Sequence, residues 1–269
     1  MSGHQAQQWC AKSSGICYSI DVWLPSGTPP ENGWPVVYVL DGKTMFATFV
    51  EAIKRSSRRP DATGIKPAAV VGIAHGDDSL FATEHRYRDY TFEDSPLVSS
   101  NVAGGGADYL HFIVEQLAPE LARDFRLNTE HQLLFGHSLA GYFVLNALAL
   151  CPQAFSHYAA ISPSVWWQPQ RLQQRLQSLS LTTELHKVLV AVGEWEDKPA
   201  PWLMKSAGLA ELMTRRQVRA MVPHALAMAT LLEQQLGKDR VHYRCFPEED
   251  HASVVMIAIQ RTLRLMFEQ

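Results

Sequence analysis

What the sequence lacks already narrows the class of protein. No apolar run in its 269 residues approaches the roughly 20 residues that cross a bilayer. The net charge is -3, and no long run of lysine and arginine offers a surface for nucleic acid. The first residues show neither the basic start nor the apolar core of an export signal. We therefore expect a soluble protein with no membrane span and no nucleic-acid partner. Cytoplasm and periplasm both stay open.

Cysteine is also scarce. The four cysteines, Cys10, Cys17, Cys151 and Cys245, form no Cys-x-x-Cys pair and have none of the spacings of zinc sites. We interpret them as free or buried thiols and expect no metal site. Cys10 and Cys17 flank a Ser-Ser-Gly turn, so an oxidising compartment would also allow a hairpin disulfide between them. The sequence leaves that pairing open.

The segments that are present alternate between strand and helix patterns. Residues 17–24 alternate apolar and polar side chains as an edge strand does. The remaining predicted strands are short apolar or β-rich segments, at 36–40, 69–74, 132–135, 156–161, 188–192 and 240–246. Helical periodicity is found at 43–55, 106–123, 139–151 and 252–268. We predict one α/β domain over 1–269, with a mostly parallel sheet, helices on both faces and a helical cap insertion at 197–237.

The most informative segment is Gly136-His137-Ser138-Leu139-Ala140-Gly141. It follows the predicted strand 132–135 and opens an apolar helix, as a nucleophile elbow does. A serine at such a sharp turn has strained backbone geometry that small neighbours tolerate. A serine before a helix is often only an N-cap, but this context favours Ser138 as a nucleophile. Ala140 replaces the glycine usual in the motif, which is a mild departure.

A serine nucleophile needs an imidazole as general base, and the imidazole needs a carboxylate. In the α/β-hydrolase fold these residues follow the serine in the order acid, then histidine. His224 falls in the predicted cap and His242 in the last strand. His251 lies in the loop before the C-terminal helix, which makes it the candidate base.

Three carboxylates, Glu194, Glu196 and Asp197, follow the strand 188–192 and are candidates for the acid. Glu196 is the first choice because its longer arm can reach back from the turn. For the oxyanion hole we predict the backbone N–H groups of Leu139, at the start of the helix, and Lys43, after the Asp-Gly turn that follows strand 36–40.

With these residues in place, the chain resembles the esterase D/Fes family of α/β hydrolases, and within it the siderophore trilactone esterases such as those for enterobactin and salmochelin. The resemblance covers about residues 17–260. It rests on the motifs VVYVLDG, HRYRDYTF, GGADYLHFI, LLFGHSLAGYFVL, ISPSVWW, VGEWE and EEDHASVV.

The resemblance implies hydrolysis of carboxylic esters through an acyl-enzyme, without a cofactor, on a siderophore that can carry iron. It places Arg86, Arg88, Trp166 and Trp167 near the mouth of the site, where they would meet an anionic, aromatic substrate. Arg-Asp pairs that tie down a loop and tryptophans that fill the core are the alternative. Two other functions stay open: a carboxylesterase or thioesterase for small acyl esters, and a noncatalytic binding protein of the same fold.

Overall fold

A computed structural model describes residues 3–76, 82–98, 100–179 and 187–268 of the chain. These residues form one eight-stranded sheet in the order β1-β2-β4-β3-β5-β6-β7-β8. The strands are β1 (Gly3–Cys10), β2 (Cys17–Leu24), β3 (Trp34–Leu40), β4 (Ala69–His75), β5 (Leu127–His137), β6 (His157–Ile161), β7 (Lys187–Gly193) and β8 (Val241–Phe246). Strand β2 pairs antiparallel with both neighbours, and all other pairings are parallel. The predicted mostly parallel sheet is thus confirmed. The prediction of 17–24 as an edge strand is wrong, because β1 occupies the edge beside it.

Ten α-helices accompany these strands within the described ranges. They are α1 (Gly42–Ser56), α2 (Pro60–Thr63), α3 (Thr83–Tyr90), α4 (Gly106–His111), α5 (Ala118–Phe125), α6 (Leu139–Leu150), α7 (Pro169–Gln177), α8 (Leu209–Arg219), α9 (Met221–Leu236) and α10 (Val254–Phe267). A π-helical segment, Phe112–Leu117, joins α4 to α5. None of these helices combines the length and apolar content needed to cross a bilayer.

The helices cover both faces of the sheet, which explains why β4 and β6 are buried at every residue. On one face α1 and α10 meet around Phe49, Ile53 and Ile259. On the other face α6 is central, and it contacts α3 and α7 as well as β5 and β6. Ten of its twelve residues are buried, as expected for a helix between a sheet and other helices.

Strand β1, the first strand of the N-terminal hairpin, was not predicted from the sequence. Polar residues fill β1, whose side chains alternate between half-buried and exposed, so its apolar pattern is weak. Its register places Cys10 opposite Cys17, and the two form a disulfide. Reading all four cysteines as thiols is therefore wrong for this pair, while Cys151 and Cys245 are free.

The stretch 197–237, predicted as a helical cap, divides into two differently placed helices. Helix α9 packs on β7 and β8 and buries Ala225, Ala229 and Leu232, so it belongs to the layer that covers the sheet. Helix α8 has no buried residue. The cap therefore stays a prediction for α8 and the loop before it, whereas α9 belongs mainly to the layer on the sheet.

Candidate active site

The candidate nucleophile lies at the turn between β5 and α6. Ser138 has φ 61° and ψ −119°, a strained conformation for a residue with a side chain. The glycines on either side of Ser138 are required because a side chain would not fit there. A Cβ on Gly136 would lie 2.3 Å from the carbonyl oxygen of Ala140, and one on Gly141 would lie 2.9 Å from that of Ile161. The turn therefore presents the Ser138 hydroxyl above the carboxyl ends of the parallel strands.

His251 approaches Ser138 from the loop between β8 and α10. Its Nε2 lies 3.0 Å from Ser138 Oγ. The Asp250 carboxylate accepts the N–H groups of Ala252 and Ser253, each at 2.8 Å, and so closes the loop before α10. The N–H of Ser253 is the main cause of the lowered pKa of Asp250, which keeps this carboxylate ionised.

A second histidine, His137, forms a hydrogen bond to the same loop. His137 Nε2 lies 2.8 Å from the carbonyl oxygen of His251. A carbonyl can only accept, so this nitrogen carries the proton. Burial lowers the pKa of His137 well below its usual value, and the neighbouring His251 lowers it further. His137 is therefore a neutral donor that fixes the backbone of His251.

Of the three candidate carboxylates, Glu196 reaches the histidine. Its Oε2 lies 2.7 Å from His251 Nδ1, and the residue is only 3% exposed. Its Oε1 accepts the Ser162 hydroxyl at 2.5 Å and the Gly193 N–H at 2.8 Å. These two donors fix the orientation of the carboxylate, so that Oε2 faces the imidazole.

The two neighbouring carboxylates point elsewhere. Glu194 pairs with Lys198 at 2.9 Å on the surface, and this lysine is the main cause of its lowered pKa. Asp197 accepts the N–H of Val222 at 3.4 Å, and partial burial raises its pKa. Neither carboxylate contacts His251.

The predicted oxyanion donors lie at two helix starts. Leu139 begins α6 directly after Ser138, so its N–H is one of the first-turn groups that lack an acceptor within the helix. Lys43 is the second residue of α1, after Asp41, which has φ 53°. A Cβ on Gly42 would lie 2.8 Å from the Gly72 backbone, so only glycine lets α1 begin this close to β4.

Arg86 maintains that turn. Its guanidinium donates to both carboxylate oxygens of Asp41, at 3.0 and 3.1 Å, and the Tyr90 hydroxyl donates to one of them at 3.1 Å. Arg86 therefore forms an Arg-Asp pair that holds a loop, as in the alternative to substrate contact. The loop concerned carries Lys43.

The structure also separates the other three predicted substrate contacts. Arg88 donates to Asp89 at 2.7 and 2.8 Å and lines a different cavity, together with Tyr18 and Tyr109. Trp167 is fully buried, and its indole N–H donates to the carbonyl of Glu93 at 2.7 Å. Neither position supports the expected substrate contact, because Arg88 is engaged elsewhere and Trp167 has no accessible surface. Trp166 does line the Ser138 cavity.

That cavity measures about 260 Å³. Its lining residues are Ser138, Ser164, Trp166, Glu196, Leu212, Arg215, Arg216, Arg219, Met221 and His251. Sequence reasoning missed the three arginines, although Arg215 and Arg219 are four residues apart and so share one face of α8. The Arg219 guanidinium lies 4.7 Å from the Trp166 ring centroid, at cation–π distance.

The strand order, the strained serine and the hydrogen-bonded Ser138, His251 and Glu196 define a serine hydrolase of the α/β-hydrolase fold. A family model described as putative esterase matches residues 12–252, and the chain belongs to this esterase family. It is therefore a carboxylic ester hydrolase, and the resemblance drawn from its motifs is confirmed.

The relatives agree with this assignment. The chain is 33% identical over 277 residues to the ferri-bacillibactin esterase BesA of Bacillus subtilis, covering 97% of this chain and 89% of that protein. It is 31% identical over 276 residues to a siderophore enterobactin esterase of Emericella nidulans, covering 93% and 89%. The solved structure of the BES protein from Bacillus cereus superimposes with a TM-score of 0.83 at 30% identity, covering 99% of this chain and 95% of that one.

Proposed function

We propose that this esterase hydrolyses the backbone esters of a siderophore, with Ser138 as nucleophile, His251 as general base and Glu196 as the acid that orients it. The observation that carries the proposal is the unbroken hydrogen-bonded series from Ser138 Oγ through both nitrogens of His251 to the buried Glu196. This series opens into a cavity lined by arginines and a tryptophan. Relatives named as esterases of bacillibactin and enterobactin supply the substrate class.

The geometry suits a two-step acyl transfer. Ser138 Oγ attacks the ester carbonyl while His251 Nε2 takes its proton, and Glu196 stabilises the resulting imidazolium. The tetrahedral oxyanion accepts hydrogen bonds from the N–H groups of Leu139 and Lys43. The intermediate then expels the alcohol, which takes the proton back from His251, and leaves an acyl-Ser138. Water, deprotonated by His251, attacks this ester and releases the acid and the free serine.

The cavity suits one arm of a siderophore at a time. At about 260 Å³ it is slightly smaller than most ligand pockets, so a trilactone would insert one acylated unit while the rest stays outside. Guanidinium groups favour catecholate oxygens, and the face of Trp166 favours an aromatic acyl group. Any iron would belong to the substrate, because the acyl transfer by Ser138, His251 and Glu196 needs no metal.

The same small cavity favours a second candidate, an esterase or thioesterase for short acyl groups. Both functions use the same three residues and differ in what extends beyond the pocket. A comparison of kcat/KM for an enterobactin-like trilactone and for 4-nitrophenyl butyrate separates them. A trilactone far inferior to the simple ester would support the second candidate.

The decisive experiment is hydrolysis of enterobactin, with and without iron, by the wild type and by Ser138→Ala, with products followed by mass spectrometry. Ser178→Ala is a matched control, because Ser178 is exposed directly after α7 and its hydroxyl donates to the Gln174 carbonyl. We expect stepwise release of dihydroxybenzoylserine by the wild type and the control alone. An intact trilactone beside rapid cleavage of simple esters would refute the siderophore assignment.

A further inference from the structure

Among the described helices that are longer than four residues, α8 alone buries none of its residues. A helix without a buried face gains little from packing, so its position has to be explained by something other than core stability. It lies at the candidate active site, where Leu212, Arg215, Arg216 and Arg219 line the cavity that contains Ser138. Three of these four side chains are guanidinium groups, so α8 brings positive charge to the cavity.

The arginines of α8 differ in what holds them. Arg216 donates to the Lys198 carbonyl at 2.7 Å, which ties α8 to the loop that follows Glu196. Arg219 stacks on Trp166, and the pKa of Arg219 is lowered by burial and by its neighbour Arg215. Arg215 and Arg219 are four residues apart on α8 and both line the cavity, and like charges at this helical spacing repel each other.

The carboxylate in the cavity does not relieve this repulsion. Glu196 is the acidic residue of the lining, and its two oxygens are already held by His251, Ser162 and Gly193. A bound anion placed between Arg215 and Arg219 would remove the repulsion and gain two charge-assisted contacts. An uncharged ester of the same shape would not reduce the repulsion between the two arginines.

We infer that Arg215 and Arg219, with Trp166 as the surface on which Arg219 stacks, are specificity-determining residues that select esters with an anionic, aromatic acyl group. The inference rests on the proposed function for the identity of the natural substrate, because an iron-loaded tris-catecholate is a net anion and its metal-free form is not. It predicts charge selection by α8 for any ester that reaches Ser138.

A matched pair of probes isolates the charge. 4-Nitrophenyl 4-sulfobenzoate and 4-nitrophenyl benzoate share the leaving group and the ring, and differ in one sulfonate. The measured quantity is the ratio of kcat/KM for the sulfobenzoate to that for the benzoate. An effect on the catalytic residues acts on both substrates and therefore cancels in this ratio. We expect this ratio to fall about 5-fold to 10-fold in Arg215→Gln and in Arg219→Gln, and further in the double variant.

Two further variants test the physical reason. Arg261→Gln removes the same charge from the exposed surface of α10, and its ratio should stay within about 2-fold of the wild type because salt screens distant exposed charges. Arg219→Lys keeps the charge but loses the guanidinium contact with the Trp166 ring, and should retain most of the selectivity. Raising the ionic strength should lower the wild-type ratio more than that of the double variant.

The outcomes separate this inference from the proposed function. A double variant that keeps the wild-type ratio, or a control that loses it equally, overturns charge selection by α8 even if enterobactin is cleaved. A ratio that falls as expected supports the inference even if enterobactin is left intact, and the natural substrate is then a different anionic ester. Thermal unfolding of each variant should match the wild type, because α8 has no buried side chain to lose.

Discussion

The sharpest prediction concerns Glu196→Gln. In the structure Oε1 of Glu196 faces the backbone N–H of Gly193, which can only donate. The oxygen of a glutamine side chain must therefore take the Oε1 position, and its NH₂ group must take that of Oε2, 2.7 Å from His251 Nδ1. This amide donates where the carboxylate accepted, so Nδ1 must give up its proton. The proton moves to Nε2, which then cannot accept one from Ser138.

The size of the effect follows from the same geometry. The wrong tautomer, together with loss of the charge that stabilises the imidazolium, lowers kcat by about 10³-fold to 10⁴-fold, or about 4–5.5 kcal/mol of barrier. The comparison variant is Glu194→Gln, which removes the charge of a carboxylate that pairs with Lys198 and accepts the Glu248 N–H, a hydrogen bond that the glutamine oxygen can keep. Since exposed pairs contribute little, its kcat should stay within about 3-fold of the wild type.

The assay is steady-state hydrolysis of 4-nitrophenyl butyrate by both variants, with circular dichroism to check the fold. Glu196→Asp adds an internal test, because it keeps the charge but shortens the arm and should fall between the wild type and Glu196→Gln. A Glu196→Gln enzyme within 10-fold of the wild type would refute the assignment of Glu196 as the acid. A larger loss in Glu194→Gln would transfer that role to Glu194.

Three further predictions test other parts of the site. Ser138→Ala and His251→Ala should each lower kcat by about 10³-fold to 10⁶-fold with the fold intact, because the residues act as a unit; comparable turnover in either variant would contradict the site. Gly193→Ala should lower both Tm and kcat, at a cost of about 1–3 kcal/mol, since the new Cβ would lie 2.3 Å from the Glu249 carbonyl in the loop that carries His251; wild-type kcat and Tm would show that this contact is not needed. The pKa of His137 is lower in the folded than in the unfolded chain, so the unfolded chain binds the extra proton and the free energy of unfolding should decrease as the pH falls below about 6.5. In urea titrations, His137→Gln should reduce the loss of unfolding free energy at low pH. An unchanged pH profile would show that His137 is not its source.

Local pattern was sufficient for most of the architecture. Segments such as 188–192 and 139–151 are apolar enough to identify a buried strand and a buried helix, because both lie between two layers. Strand β1 and the helices α3 and α7 were not predicted, because most of their residues are polar. Strand β1 is held instead by pairing with β2, and that pairing is a contact between segments rather than a property of either one.

The sequence by itself determined the elbow at Ser138, since its strained backbone requires small residues at fixed neighbouring positions and leaves a local signature. It also placed His251 in the loop before the last helix, from the order of elements. Only the tertiary structure decided which carboxylate meets that histidine, because residues 194, 196 and 197 share one short turn and differ mainly in direction. It likewise assigned Arg86 to Asp41 and brought the arginines of α8 to the cavity. Such contacts depend on how distant segments pack, and a one-dimensional pattern carries no record of that.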